Sequence, residues 1–149
     1  MENYLPENRI FLDVAVQTKK EALDYIAKKA EAEGVCHSAA ALMDAFEERE
    51  KQGATGLQNG FAIPHATAKC IKKPAIYMLK SDQPLPWKTV DNQDVTMVIA
   101  LLLPTDSPTK HLTLLSKIAA LLMQPKFCDA LKNADDPQKI SNMMNEGLA

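Results

Sequence analysis

Hydrophobic positions near the start of the chain predict a strand followed by two amphipathic helices. The apolar, β-branched segment from Ile10 to Val16 predicts the strand. Thr18 and Glu21 then form a capping box, in which each side chain is expected to accept a hydrogen bond from the other residue's backbone amide. Apolar residues at helical spacing follow as far as Gly34, which suits the left-handed end of a helix. They are Leu23, Ile26, Ala27 and Ala30.

The second helix should begin after Ser38, a favoured N-cap residue, and end at Gly53. Its stripe of helically spaced positions includes one charged residue, because Arg49 continues the apolar series. The series is Leu42, Ala45, Phe46 and Arg49. We therefore expect the Arg49 side chain to face the sheet rather than water.

The segment from Thr55 to His65 predicts a tight turn followed by a rigid, extended stretch. Asn59-Gly60 is a strong signal for a two-residue type I′ turn, since both central positions of that turn need a positive φ. Phe61 to Ile63 is predicted as the returning strand of a hairpin, and Pro64 keeps the residue before it extended. His65 is thereby expected just past the end of a strand, on a fixed backbone.

The second half of the chain predicts two strands and three helices. Ala75 to Leu79 is one strand, and the nearly unbroken apolar run from Val95 to Leu103 is typical of a strand covered on both faces. After Pro104, Ser107 or Thr109 could cap a helix whose core-facing positions are Leu112, Leu115, Ile118, Ala119 and Leu122. Two short helices with proline in the first turn are expected at Pro125 to Lys132 and at Pro137 to Glu146.

The alternation of strands and helices predicts the fold class. The chain contains no internal repeat and no linker long enough to divide it, so we expect a single domain over residues 1–149. The order favours an α/β fold, in which helices flank both faces of one sheet. The hairpin would add an antiparallel pair, so the sheet is expected to be mixed.

Composition and charge exclude several classes of protein. A net charge of −2 and a pI near 5.9 argue against nucleic acid as a main partner, because phosphate backbones require clustered Lys and Arg. No apolar run approaches the roughly 20 residues that span a bilayer, and the first residues do not resemble a signal peptide. The three cysteines form no CxxC pair, which is typical of reduced thiols. We therefore expect a cytoplasmic protein without membrane insertion.

Two of the three histidines and one arginine are candidates for chemistry. His37 lies in a polar turn and is expected to be a surface residue. His65 and His111 are each predicted at the end of a strand or the start of the next helix, where ligands gather in open α/β sheets. Each candidate also has an ordinary structural explanation: Arg49 could cap the last carbonyls of its own helix, and either imidazole could bond a nearby backbone group.

Together these three side chains favour phosphoryl transfer. A neutral imidazole is a nucleophile near pH 7, and a guanidinium is a planar fork of donors that suits phosphate oxygens. The chain has no GxxxxGK[ST] loop and no kinase-type glycine loop, so the phosphoryl donor would arrive on another molecule. A metal site is less favoured, because the histidines and cysteines lack zinc-ligand spacing. A Cys-His hydrolase is also weakly supported, since no cysteine lies in a nucleophile turn.

At these residues the chain resembles the fructose/mannitol class of enzyme IIA proteins of the bacterial phosphoenolpyruvate-dependent sugar phosphotransferase system. The resemblance covers essentially the whole length, and its most specific part is the run Ala62-Ile63-Pro64-His65-Ala66. Gln58 stands where the family has a small residue, and Phe61 replaces an aliphatic one. The other matching segments are Glu48-Arg49-Glu50, Thr55-Gly56-Leu57, Val95 to Pro104, His111-Leu112, Leu114-Leu115 and Ile118-Ala119.

The resemblance implies a function for each candidate residue. His65 would accept a phosphoryl group from phospho-HPr and pass it to a cysteine of enzyme IIB, while Arg49 and His111 stabilise the phosphorylated state. No metal or small cofactor is implied. Enzyme IIB and the membrane component, enzyme IIC, are expected elsewhere, with IIC involved only indirectly. The alternative is a regulatory enzyme IIA that binds protein targets according to its phosphorylation state. The two histidines and the arginine argue against an inactive member of the family.

Overall fold

The computed structural model describes the backbone of residues 3–106 and 108–149 and, outside 108–111, their side chains. Five strands form one sheet in the order β1-β4-β5-β2, and β3 also pairs with β5. The pairs β1–β4, β2–β5 and β3–β5 are parallel, whereas β4–β5 is antiparallel, so the predicted mixed sheet is confirmed. The strands are β1 (Ile10–Val14), β2 (Phe61–Ala62), β3 (His65–Thr67), β4 (Ala75–Leu85) and β5 (Val95–Leu103).

Helices cover both faces of the sheet, as predicted. Alternation along β5 explains why both faces are apolar: Val98, Ala100 and Leu102 pack on the side of α1 and α2, and the residues between them pack on the side of α3, α4 and α5. A short 3-10 helix, Glu7–Arg9, precedes β1. The helices are α1 (Lys19–Glu33), α2 (Ala39–Lys51), α3 (Pro108–Leu121), α4 (Pro125–Asn133) and α5 (Pro137–Leu148).

The ends of the first two helices follow the sequence closely. The Thr18 hydroxyl accepts a hydrogen bond from the Glu21 amide at 3.1 Å, but the Glu21 carboxylate accepts from the Gln17 amide at 2.7 Å and not from that of Thr18. The second half of the predicted capping box is therefore displaced by one residue. Helix α1 ends at Gly34 as predicted, and Ser38 caps α2 through its hydroxyl. Of the two predicted caps of α3, Ser107 lies outside the described residues, and Thr109 is not a cap because the helix already begins at Pro108.

The predicted hairpin is only partly present. Asn59 and Gly60 have φ angles of 60° and 83°, which are the positive values that a type I′ turn requires. After the turn, however, β2 pairs in parallel with the buried β5, and it meets the arm before the turn through a single bridge, Gly56 to Ala62. Gly56 itself is packed against the Lys88 carbonyl so closely that a Cβ there would lie 2.3 Å from it. The antiparallel pair of the sheet is consequently β4–β5 and not this hairpin.

Two further expectations were wrong: the end of the strand that begins at Ala75 and the burial of Leu112. Strand β4 continues to Leu85 instead of ending at Leu79, because a register shift after Lys80 accommodates the irregular, proline-containing stretch. Leu112 was predicted to face the core but is 62% exposed, whereas Ile118 and Leu122, further along the helix or just beyond its end, are fully buried. Helix α3 thus packs on the sheet through its later turns.

Candidate active site

His65 follows one short strand, β2, and begins the next, β3. It is the first residue of β3 and pairs with Leu101 of β5. Pro64 separates β2 from β3, because it has no amide hydrogen to donate to a ladder. The Pro64 carbonyl still accepts a hydrogen bond from the Leu101 amide at 3.0 Å. His65 does follow the end of β2, as predicted, and it also begins a second strand that was not predicted. The backbone that carries it is held on both sides of the proline.

The hydrogen bonds of the His65 ring define its tautomer. Arg49 Nε lies 2.9 Å from His65 Nε2, and a guanidinium donates but cannot accept, so Nε2 must be the unprotonated nitrogen. Nδ1 lies 3.0 Å from the Ile63 carbonyl oxygen and therefore carries the hydrogen. The ring thus presents one lone pair, at Nε2, and that lone pair faces the guanidinium.

The electrostatic surroundings keep the imidazole of His65 neutral. Burial lowers the pKa of His65 below the usual histidine value of 6.5, and the neighbouring Arg49 charge lowers it further. The hydrogen bond to the Ile63 carbonyl and the Glu50 carboxylate act in the opposite direction, but burial outweighs them. A neutral imidazole at physiological pH is the form that can act as a nucleophile.

Arg49 has two partners at once. In the last turn of α2, its side chain points to the sheet, as the apolar stripe predicted, and reaches His65. Its Nη1 atom also donates to the Gly53 carbonyl at 2.8 Å, just beyond the helix end. The structural and the chemical explanations for this residue therefore both apply, because one guanidinium has enough donors for both contacts.

A buried carboxylate that the sequence did not single out supports this arrangement. Glu50 accepts hydrogen bonds from the Thr55 hydroxyl at 2.6 Å and from the Thr55 amide at 3.3 Å. It also forms an ion pair with Lys19 Nζ at 2.6 Å, and its side chain is only 8% exposed. The Thr55 carbonyl in turn accepts from the Ile63 amide at 3.0 Å. Glu50 therefore braces the segment whose carbonyl holds the His65 ring.

The backbone brings His111 to the same edge of the sheet as His65. Strand β3 runs parallel to β5, with Thr67 beside Leu103, and α3 begins after the carboxyl end of β5. His111 lies in the first turns of α3, as predicted, but its side chain lies outside the described residues. His37 is exposed, in agreement with its prediction as a surface residue.

The alternative chemistries gain no support from the described residues. Within the described part of the chain, no three His, Cys, Asp or Glu side chains are grouped to hold a metal ion. The three cysteines are free, and burial raises the pKa of each thiol, which disfavours the reactive thiolate. No helix that the structure describes is long and apolar enough to cross a membrane.

Phe61 and Gln58, the two departures noted in the sequence, contact the α3–α5 side of the molecule. Phe61 is fully buried against the helices of the α3–α5 face, with Lys132 Nζ 5.9 Å from its ring centroid. Gln58 donates to the Met123 sulfur at 3.0 Å, near the end of α3. Both side chains therefore lie on the side of the sheet that α3, α4 and α5 cover, whereas Arg49 lies on the other side.

Comparisons with known proteins agree in family and fold. The sequence model of the family described as phosphoenolpyruvate-dependent sugar phosphotransferase system, EIIA 2, matches residues 3–147. A protein named nitrogen regulatory protein from Klebsiella oxytoca is 31% identical over 147 residues, covering 98% of this chain and 90% of that protein. A protein named PTS system fructose-specific EIIA component from Haloferax volcanii is 26% identical over 141 residues, covering 95% and 92%.

Solved structures extend the comparison to three dimensions. The crystal structure of nitrogen regulatory protein IIA-Ntr from Neisseria meningitidis aligns with a TM-score of 0.88 and 28% identity, covering 95% of this chain and 96% of that one. A complex of enzyme IIAMTL and phosphorylated enzyme IIBMTL from Escherichia coli aligns with a TM-score of 0.76 and 19% identity, covering 97% and 96%. At that lower identity the likeness concerns the fold alone.

Proposed function

This chain belongs to the EIIA 2 family of the phosphoenolpyruvate-dependent sugar phosphotransferase system, and from that premise we propose that it is a phosphoryl carrier with His65 as the phosphorylated residue. The observation that carries the proposal is the tautomer of His65. Its hydrogen is committed to the Ile63 carbonyl, which leaves the Nε2 lone pair as the nucleophile. The depressed pKa keeps that lone pair free of a proton at neutral pH.

Acceptance of the phosphoryl group begins when phospho-HPr docks at His65. Arg49 Nε leaves the Nε2 lone pair, which attacks phosphorus while the bond between phosphorus and the donor atom breaks, and the electron pair of that bond stays with HPr. The proton on Nδ1 remains there, and the Ile63 carbonyl stabilises the positive charge that develops on the ring. Arg49, anchored to the Gly53 carbonyl through Nη1, is then close enough to donate to phosphoryl oxygens.

Onward transfer reverses these steps. A cysteine thiolate of enzyme IIB attacks phosphorus, the bond to Nε2 breaks, and its electron pair returns to the ring. Arg49 can then resume its contact with Nε2. We assign His111 as a second donor to the phosphoryl oxygens, on the basis of its place at the start of α3 beside the carboxyl end of β5. The positive end of the helix dipole favours negative charge at that position.

A regulatory role is the second candidate, and a specific observation favours it. Relatives at 31% identity are named nitrogen regulatory protein, whereas the relatives named fructose-specific are 26% or 27% identical. In this role the phosphate on His65 is a signal rather than cargo, and protein targets distinguish the two states of the residue. Both roles use the same nucleophile and interact with cytoplasmic proteins, so we infer a cytoplasmic location in either case.

Phosphorylation assays test the assignment of His65. Incubation with phosphoenolpyruvate, enzyme I and HPr should add one acid-labile phosphoryl group, detected by intact mass. His65→Ala should remain unlabelled, while the matched control His37→Ala, at an exposed histidine, should label fully. A labelled His65→Ala protein would contradict the proposal.

The two roles separate in a second step. Addition of enzyme IIB proteins should discharge the labelled protein if it is a transport component. If the label persists in the presence of every enzyme IIB encoded by the organism, the transport role is excluded and the regulatory role is supported.

A further inference from the structure

A groove of about 580 Å³ lies between the first turn of α1 and the last turns of α2, and the proposed function makes no use of it. Its volume falls within the range of about 300–1,000 Å³ that is typical of small-molecule sites. The apolar part of the lining consists of Leu23, Met43 and Pro86. Leu23 and Met43 are almost completely buried, so they form a fixed floor and not a surface patch.

The charges around the groove favour an anion. Lys19 and Lys20 occupy the first turn of α1, where the positive end of the helix dipole makes two cations unfavourable. Glu50 compensates Lys19 through the ion pair at 2.6 Å, but Lys20 has no carboxylate within 4.0 Å among the described residues. An anion in the groove would compensate this remaining charge.

The opposite rim belongs to α2 and carries both signs. Lys51 reaches the exposed Glu48 only at 4.0 Å, so it is weakly compensated. Two carboxylates line the groove, Glu47 and Glu50, and Glu50 is already paired with Lys19. Two lysines therefore face one free carboxylate, and the groove as a whole attracts negative charge.

An aromatic ring adds a further apolar element beside the lysines. Trp87 follows Pro86, is 8% exposed, and lies beneath Lys19, with Nζ 5.1 Å from the ring centroid. Its indole Nε1 has no hydrogen-bond partner among the described residues. The groove thus combines a cationic rim with an apolar floor, which suits an amphipathic ligand.

The groove also reaches the groups that hold His65. Lys19 binds Glu50, Glu50 binds Thr55, and the Thr55 carbonyl binds the Ile63 amide. The Ile63 carbonyl then accepts the Nδ1 hydrogen of His65. An anion that competes with Glu50 for Lys19 would loosen the first contact in this series, and the change would be transmitted to the imidazole.

We propose that this groove is a regulatory site for a small amphipathic organic anion, and that its occupant acts on His65 through Lys19 and Glu50. The last step rests on the proposed role of His65, but neither binding nor the state of the ring requires phosphorylation. The site can therefore be tested whether or not His65 is the phosphorylated residue.

Binding is tested with 8-anilinonaphthalene-1-sulfonate, an amphipathic anion, and its uncharged analogue N-phenyl-1-naphthylamine. The anion should bind with a stoichiometry of one and quench Trp87, the single tryptophan of the chain. The uncharged analogue should bind about tenfold more weakly than the anion. The double variant Lys20→Glu, Lys51→Glu should lower the affinity for the anion by about the same factor. Equal binding of both compounds, or no effect of the double variant, would overturn the proposal.

The double variant Lys72→Glu, Lys73→Glu is the matched control, because it also replaces two exposed lysines with glutamates. The Lys72 amide binds the Val35 carbonyl at the other end of α1, about 22 Å from the groove for a helix of this length. The affinity of this variant for the anion should equal that of the parent protein. A similar loss of affinity in this variant would show that the effect is one of net charge, and the groove would be excluded as the site.

The link to His65 is measured on the ring itself. The ¹⁵N shifts of the His65 imidazole report its tautomer, and saturation with the anion should move them away from the Nδ1–H form. In Lys19→Met, which removes the first contact of the series, the anion should leave these shifts unchanged. Saturated binding without any response of the His65 ring in the parent protein would refute the regulatory role.

Discussion

The two faces of the sheet differ in the kind of side chain that they bury. On the α1–α2 face, a carboxylate enters the apolar layer: the Glu50 side chain is only 8% exposed and pairs with Lys19. At the exposed end of α1, Glu33 pairs with Arg9 and accepts a hydrogen bond from the buried Tyr77. All the ion pairs found among the described residues include a residue of α1 or α2. On the α3–α5 face, buried polar side chains end on backbone carbonyls, as when the Ser141 hydroxyl donates to Leu5.

This contrast explains where the candidate chemistry lies. A buried charge costs free energy unless it is paired and hydrogen-bonded, so charges persist where a network satisfies them. The α1–α2 face has such a network around His65, which includes Arg49 and Glu50. The buried side chains of the α3–α5 face are mostly apolar, and the half-buried Lys80 donates to the Lys132 carbonyl at 2.6 Å. Stability and chemistry should therefore respond to different substitutions.

The largest effect is expected on the apolar face. Leu131 is fully buried in α4, and Leu131→Ala should lower the free energy of unfolding by about 2–5 kcal/mol because it leaves a cavity. Urea unfolding measures this loss. Below the unfolding transition the variant should label on His65 at the parent rate. Slower labelling of the folded variant would mean that the two faces are coupled.

On the α1–α2 face, Arg49→Lys should reduce activity while changing stability little. The lysine keeps the charge but loses the fork that contacts both Nε2 and the Gly53 carbonyl. Phosphoryl transfer should fall by on the order of 100-fold, the effect of removing one preorganised donor. The free energy of unfolding should change by only about 1 kcal/mol. An unfolded variant whose residual folded fraction transfers normally would establish Arg49 as purely structural.

His111 tests whether the division between the faces holds at the edge of the sheet. It begins a helix of the apolar face, yet we assign it to the phosphoryl site. His111→Ala should accept phosphate from HPr at the parent rate, since the nucleophile remains, but pass it to enzyme IIB about tenfold more slowly, as expected for the loss of one charge-assisted hydrogen bond. Rapid-quench transfer assays distinguish the two steps. If His111→Ala and the parent protein transfer phosphate to enzyme IIB at the same rate, His111 has only a structural role at the start of α3.

The smallest effect is a pH dependence of stability. The pKa of His65 is lower in the folded protein than the value of about 6.5 expected in the unfolded chain. The unfolded state therefore takes up a proton first, so stability is complete above pH 6.5 and decreases as the pH falls through the window below it. His65→Gln should lack this decrease. Urea unfolding of both proteins across that window checks the sign, and a parent protein that gains stability relative to the variant on acidification would contradict it.

Local features of the fold could be predicted from the sequence because they depend on few neighbouring residues. The Thr18 cap, the Gly34 end of α1 and the turn at Asn59-Gly60 were all confirmed, since each is determined by backbone conformation within one turn. The direction of the Arg49 side chain was also predictable, because helical periodicity alone places it on the face toward the sheet. The residues of the candidate site were predicted in the same way, from type and position.

Features that depend on distant segments were decided by the tertiary structure. The parallel pairing of β2 and the extension of β4 to Leu85 both arise from hydrogen bonding to β5. No local sequence pattern contains information about that neighbouring strand. The contribution of Glu50 was missed because its burial arises only when α1 brings Lys19 against α2. The tautomer of His65 likewise required Arg49, 16 residues away in sequence, to reach Nε2. The sequence by itself determined which groups are present and how each turn bends, whereas tertiary packing determined which groups meet, because those contacts join segments whose separation in sequence carries no local signal.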